Sequence, residues 1–138
     1  MAKKKNFQID VGIACIYKDG KYLAQTRPEG KSFVGLFEFP GGKREKGESF
    51  RACVEREIKE EIGVEISIQR YFYEEICLFK KIKLRLRFYL AKIEKGEPAA
   101  LENQELKWIA PVDFFTEKFL PTNHKALKKL QEREGISV

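Results

Sequence analysis

Glu57, Glu60 and Glu61 stand three residues and then one residue apart in Arg56-Glu57-Ile58-Lys59-Glu60-Glu61-Ile62-Gly63-Val64. At about 100° per residue, a helix places these three carboxylates within a sector of about 100° on one face. Like charges at such spacings destabilise a helix by about 0.2–0.5 kcal/mol per pair, so the arrangement calls for a compensating cation. Oxygen donors without His or Cys suit Mg²⁺ or Mn²⁺, which keep part of their water and also bind phosphate. A solvated acidic helix face is the alternative that the carboxylates by themselves leave open.

The elements that must position this cluster can be read from pattern and punctuation. Ser49 is placed to cap a helix running to about Ile62, and Gly63 occupies the position that favours a left-handed C-terminal cap. Val54, Ile58 and Ile62 follow at four-residue spacing and form its packed stripe. Upstream, Gln8 to Tyr17 alternates Ile9, Val11, Ile13 and Cys15 on one face. The Asp19-Gly20 turn then joins it to a strand from Tyr22 to Thr26. Pro28 to Gly35 reads as a loop, and Leu36 to Phe39 as a short strand that stops at Pro40-Gly41-Gly42.

Downstream, Val64 to Glu75 and Lys81 to Ile93 read as paired strands joined around Ile76 to Lys80. In the second, Ile82, Leu84, Leu86, Phe88 and Leu90 share one face. Lys81, Lys83, Arg85 and Arg87 share the other, which reads as a solvated face or a protected sheet edge. Glu94 to Gln104 is loop-like, Leu106 to Ile109 is a short strand, and Asn123 to Arg133 is a final amphipathic helix.

With 138 residues, 43% hydrophobic and 12% aromatic, the chain has the material for one packed domain spanning 1–138. No run approaches the roughly 20 apolar residues of a membrane span, and Met1-Ala2-Lys3-Lys4-Lys5 does not open a signal-peptide block. The expected location is therefore cytoplasmic, with no membrane partner. Lys and Arg outnumber Asp and Glu by 27 to 21, giving a net charge of +6 that favours an anionic partner. Cys15, Cys53 and Cys77 are odd in number and widely spaced, which predicts buried reduced thiols, not a zinc site or a disulfide framework. His124, the sole histidine, reads as a helix surface residue.

The segment from Gly42 to Val64 matches the pattern G-x5-E-x7-R-E-U-x-E-E-x-G-U, with U aliphatic, at Gly42, Glu48, Arg56, Glu57, Ile58, Glu60, Glu61, Gly63 and Val64. On these residues the chain resembles the Nudix hydrolases, which cleave a nucleoside diphosphate linked to another group. The resemblance implies an α/β fold, an α/β/α sandwich around a mixed β-sheet, with residues 42–64 forming a loop, a helix and a loop. It implies that Glu57, Glu60 and Glu61 bind Mg²⁺ or Mn²⁺ and carry the catalysis, with Glu57 the first choice as general base. It also implies that Arg56 pairs with Glu48 to hold the loop.

Outside the box, Leu36-Phe37-Glu38-Phe39-Pro40-Gly41-Gly42-Lys43 is similar to the L-x-E-F-P-G-G-K of the MutT branch, which converts nucleoside triphosphates to monophosphate and pyrophosphate. That similarity implies a metal-directed carbonyl at Gly41 and a phosphate-directed cation at Lys43. Glu102-Asn103-Gln104 before Trp108 resembles the branch's E-x-Q loop, making Glu102 a further metal ligand. Arg27 corresponds to an arginine that reaches phosphate, and Asn123, in Leu120-Pro121-Thr122-Asn123, to the asparagine of a P-x-N segment that hydrogen-bonds the base. Phe39 and Phe79 are candidates to flank that base, since aromatic faces stack on any base. For Arg27, Asn123, Phe39 and Phe79 the plain structural roles of surface residue, helix cap and core packing stand as alternatives.

The expected reaction is hydrolysis of a nucleoside triphosphate, such as 8-oxo-dGTP, by a monomer or homodimer with no stable nucleic-acid partner. Cytidine nucleotides, other nucleoside-diphosphate-linked compounds and RNA 5′ ends are alternative substrates. A non-catalytic module that binds oxidised nucleotides is the non-enzyme alternative, but such modules typically lack box glutamates that are all present here.

Overall fold

A computed structural model describes residues 7–135. Met1 to Lys5, read above for the absence of a signal block, lie outside the described residues. The alternating apolar segment forms β1 (Phe7–Lys18), and the adjoining hairpin partner is β2 (Lys21–Thr26). Asp19 and Gly20 between them have φ of 51° and 77°, the left-handed geometry that a two-residue hairpin turn needs. β3 (Phe37–Glu38) follows on β2, and β4 (Gly41–Lys43) pairs instead with β1.

The expected single strand from Leu36 to Phe39 is thus two shorter strands, with the second formed by glycines expected to end it. Pro40 offers no N–H to a ladder. Beyond it, Gly41 runs so close to β1 that a Cβ would lie 2.1 Å from the Gly12 carbonyl.

α1 (Phe50–Ile62) has the expected bounds: Ser49 Oγ accepts from Ala52 N–H, and Gly63 adopts φ 72° while donating to the Lys59 carbonyl. β5 (Glu65–Phe79) and β6 (Ile82–Lys95) form a long antiparallel hairpin. The expected connection at Ile76 to Lys80 shrinks to Lys80-Lys81, because pairing continues to Phe79 and Ile82 and Lys80 takes φ 54°. β6 also pairs in parallel with β1, from Phe7 with Ile82 to Ile16 with Ala91, which makes the seven-stranded sheet mixed. β7 (Leu106–Ile109) joins β2, and α2 (His124–Arg133) closes the described chain after 3-10 turns at Pro111–Thr116 and Pro121–Asn123.

The sheet has a core on each face. Val54, Ile58 and Ile62 of α1 meet Ala14, Ile16, Leu23, Tyr89 and Ala91 on one side. Leu127 and Leu130 of α2, with Phe114, meet Ile13, Cys15, Phe39, Phe88 and Leu90 on the other. This is the expected α/β/α sandwich.

The basic row of β6 is a correction. β6 lies inside the sheet between β1 and β5, so the row is no edge. Arg87 bonds Glu74 at 2.9 Å and lies over the Phe50 ring, while Arg85 Nε sits 4.0 Å from Asp10 and 3.8 Å from Glu74. The first turn of α1 covers that end of the row and makes ion pairing necessary. Cys15 and Cys53 are buried and Cys77 half-buried, all three as free thiols. His124 is also half-buried, its ring 3.2 Å from the Phe119 carbonyl and against Phe115. No helix among the described residues is long and apolar enough to cross a membrane.

Candidate active site

Six segments meet at one cleft of about 550 Å³: β1 at Val11, the end of β2 with the following loop, β3, β4, the acidic face of α1, and the loop before β7. Glu38, Glu57, Glu60, Glu61 and Glu102 line it, facing only three cations, Arg27, Lys31 and Lys43. The cleft is thus acidic in a protein of net charge +6.

The four-residue repeat of Val54, Ile58 and Ile62 buries one side of α1 and turns Glu57, Glu60 and Glu61 toward β4. β4 can approach because its first two residues are glycines. A Cβ on Gly42 would stand 2.2 Å from the Glu57 carboxyl carbon, so only glycine leaves Glu57 lying against the strand. Gly41 N–H donates to Glu61 Oε1 at 3.1 Å.

Arg56 sits behind the cleft and organises it. Its Nε and Nη2 bond the two Glu48 oxygens at 2.7 and 2.9 Å, Nη2 bonds the Lys43 carbonyl at 3.0 Å, and Nη1 reaches Glu57 at 3.0 Å and Glu60 at 3.3 Å. The guanidinium and the Glu45 N–H hold the Glu48 carboxyl down at about 2. Burial raises Glu57 above the ordinary carboxylate range despite Arg56. Glu61 is more deeply buried, with Glu57 and Glu38 nearby, and is pushed up to about 8 against the hydrogen bonds from Gln25 and Gly41. The two carboxyls therefore carry negative charge at a real electrostatic cost.

The donor set fits a hard divalent cation in chemistry. It consists of oxygens alone, and the glycine cradle holds Glu57 where a longer residue at position 42 would fill the space. Among the described residues, no three acidic, histidine or cysteine side chains stand close enough together to enclose an ion. Arg56 instead spans Glu57 and Glu60.

Of the residues singled out from sequence, Arg27, Gly41, Gly42, Lys43, Glu57, Glu60, Glu61 and Glu102 are brought together here. Glu48, Arg56 and Gly63 lie behind them as loop holder, clamp and helix cap. Arg27 bonds Glu38 at 3.0 Å and the Ser32 carbonyl at 2.6 Å.

Phe39 and Asn123 require correction. Phe39 is 2% exposed among Tyr22, Phe114 and Phe119, leaving no ring face open to a base. Asn123 is 3% exposed; its Oδ1 accepts from Phe39 N–H at 3.1 Å and its Nδ2 faces Thr122 Oγ1 at 3.4 Å. Its polar atoms thus tie α2 to the chain leaving β3, and its side chain does not cap the helix. Phe79 is 67% exposed at the β5–β6 tip, outside the cleft lining. It shares a sheet face with the cleft-lining Val11, but lies two strands across, opposite Ile82, which pairs with Phe7, and Phe7 is itself two same-face steps along β1 from Val11.

Gln25, Lys31, Glu38 and Gln104 also line the cleft without having been assigned to it from sequence. Glu38 and Gln104 fall within quoted motifs, and a buried Gln in the apolar strand Tyr22–Thr26 was a signal in itself.

A mixed sheet between helices, with a glutamate-bearing helix packed on a glycine strand, defines the class of domain. The chain belongs to the Nudix family: the NUDIX domain matches residues 6–130. It is 34% identical over 128 residues to an 8-oxo-dGTP diphosphatase of Haemophilus influenzae, covering 92% of this chain and 93% of the relative. It is 35% identical over 103 residues to a CTP pyrophosphohydrolase of Escherichia coli, covering 75% and 76% respectively. The solution structure of the E. coli ORF135 protein superposes with a TM-score of 0.82 at 29% identity, covering 94% of this chain and 92% of that one.

Proposed function

We propose that the chain is a Mg²⁺- or Mn²⁺-dependent nucleoside triphosphate pyrophosphohydrolase of MutT type. It releases monophosphate and pyrophosphate and clears oxidised nucleotides such as 8-oxo-dGTP from the pool. The observation that carries this reading is the cleft itself: five carboxylates from three segments, with three cations at its margin, inside a basic protein. Glu57, Glu60, Glu61, Glu102 and the Gly41 carbonyl would hold the metal. When bound, it supplies charge neutralisation for the polyphosphate and activation of water. Arg27, Lys31 and Lys43 meet the phosphate charge that remains.

Arg56 engages Glu57 through Oε1, leaving Oε2 to accept a proton from the attacking water. Burial raises the basicity of that carboxylate, in the direction a general base at neutral pH requires. Water oxygen bonds to an inner phosphorus, the bridging P–O bond breaks with its electron pair kept by the bridging oxygen, and monophosphate and pyrophosphate result. The apolar sheet face from Val11 through Ile9 and Leu84 to Phe7, Ile82 and Phe79 offers a surface on which a base can stack.

The 8-oxo-dGTP diphosphatase relative supports this substrate, and the CTP pyrophosphohydrolase relative supports cytidine nucleotides as a second reading. Pyrophosphate release is to be measured with Mg²⁺ on 8-oxo-dGTP, dGTP, CTP and dCTP, alongside triphosphorylated RNA and nucleotide sugars. Monophosphate and pyrophosphate from a free triphosphate, with Glu57→Gln slower by about 10²-fold or more yet folded, is the expected result. Inactivity on every compound would leave a binding module as the better account.

A further inference from the structure

Two amides at the back of the cleft bond to one another and to three of its carboxylate residues, Glu38, Glu61 and Glu102. Gln104 Oε1 accepts the Glu102 N–H at 2.8 Å, and Gln104 Nε2 donates to the Glu61 carbonyl at 2.9 Å and to Gln25 Oε1 at 3.1 Å. Gln25 Nε2 then donates to Glu61 Oε2 at 3.0 Å and, more weakly, to Glu38 Oε2 at 3.5 Å. Both glutamines are 5% exposed, so water does not substitute for these partners.

The chain of bonds has one permitted direction. The Glu102 N–H can only donate, so it requires the oxygen of Gln104. The Gln104 nitrogen must then face the Glu61 carbonyl and the oxygen of Gln25. The Gln25 nitrogen is thereby turned to the Glu61 carboxylate. Flipping either amide would set oxygen against oxygen or N–H against N–H in a buried place, a costly mismatch.

The same network joins separate elements. Gln25 belongs to β2, Glu61 to α1, and Glu102 and Gln104 to the loop before β7. The loop is anchored on the helix end by Ala99 N–H to the Ile62 carbonyl and Leu101 N–H to the Glu61 carbonyl. Glu61 differs from Glu57 and Glu60 in what holds it. Arg56 bonds the latter two, whereas Glu61 receives neutral N–H groups from Gln25 and Gly41.

We propose that Gln25 and Gln104 are positioning residues that act in series, fixing the Glu61 carboxylate relative to Glu102 with no resident cation, so that the pair receives the metal as one unit. The inference rests on the proposed metal-dependent reading of this cleft.

The test is Mn²⁺ binding to the nucleotide-free protein, followed by the electron paramagnetic resonance of free Mn²⁺, for Gln25→Met, Gln104→Met and the double variant. Thermal melts accompany it. Loss of either amide should weaken Mn²⁺ binding about 10- to 100-fold. The double variant should be little worse than the weaker single one, because a series relay is broken once. In turnover, kcat should fall similarly while KM for the triphosphate stays within about threefold.

Unchanged Mn²⁺ affinity in folded variants, or two losses that multiply in the double variant, would overturn the relay. Should a methionine variant not fold, Gln25→Asn and Gln104→Asn decide by the same readouts, since they keep the amide and remove its reach. The Mn²⁺ measurement requires no substrate, so failure to hydrolyse triphosphates would reject the proposed reaction and leave the relay separately tested.

Discussion

Arg56 serves four acceptor groups at once, and its bond to Glu48 has a measurable signature. Glu48 is held at about 2 by hydrogen bonds from Arg56 and from Glu45 N–H, below its ordinary value of 4.5. A folded-state value below the unfolded one stabilises the protein above about pH 4.5, and the contribution is lost as pH falls toward 2. Thermal midpoints should therefore drop between about pH 4.5 and pH 2, with a shallower drop in Glu48→Gln; parallel profiles would show that the pair does not set acid stability. At this scale the box glutamates were legible because helical spacing alone brings them to one face. Phe39 and Asn123 were not, because their motif neighbours say nothing about whether the second core buries them. Gln25 was hidden for a related reason: its meaning comes from Gln104, distant in sequence and brought close only by the pairing of β2 with β7.

Among the elements, α1 was readable from end to end, since Ser49 and Gly63 supply the conformations its termini demand and a single apolar stripe fills its buried side. Ile58 is fully buried at the centre of that stripe, directly beside Glu57. Ile58→Ala should cost about 2–5 kcal/mol in urea denaturation, out of the 5–15 kcal/mol typical of a domain. Turnover at temperatures where the variant remains folded should stay close to wild type. A selective loss of activity without loss of stability would mean that the stripe aims the carboxylates more finely than packing alone implies. The turn at Lys80-Lys81 and the strand at Gly41–Lys43 were less readable. The first lacks the Asn-Gly or Asp-Gly signal, and the second is made of residues whose usual role is to interrupt strands. Both follow from partners, β6 and β1, that lie elsewhere in the chain.

For the molecule as a whole, an overall charge of +6 and a carboxylate-lined cleft act at different ranges. Under the proposed function, the first draws a polyphosphate from a distance, and the second holds it with a bound cation. Added salt shortens the reach of the first, since the Debye length falls from about 30 Å at 0.01 M to about 8 Å at 0.15 M. Over that range kcat/KM should fall several-fold with kcat nearly constant, in steady-state assays at fixed free Mg²⁺. A matching fall in kcat would assign the salt effect to the bound state. The mixed sheet and its two helical layers were foreseeable from the motif resemblance. The inverted charge of the cleft was partly so, through Glu57, Glu60, Glu61 and Glu102, while Glu38 joined it only in three dimensions.

The exposed tip of the β5–β6 hairpin bears on how such a protein can change over generations. Leu78 and Phe79 are 78% and 67% exposed and belong to neither core, so exchanging them costs the fold little. Glu61 and Gln25 are wedged between α1 and β2, where nearly every replacement disturbs packing or a buried bond. Under the proposed function, mutation can explore new bases on the tip while the hydrolytic apparatus stays under the constraint of folding itself. Preference and reaction would then diverge at different rates within one small domain.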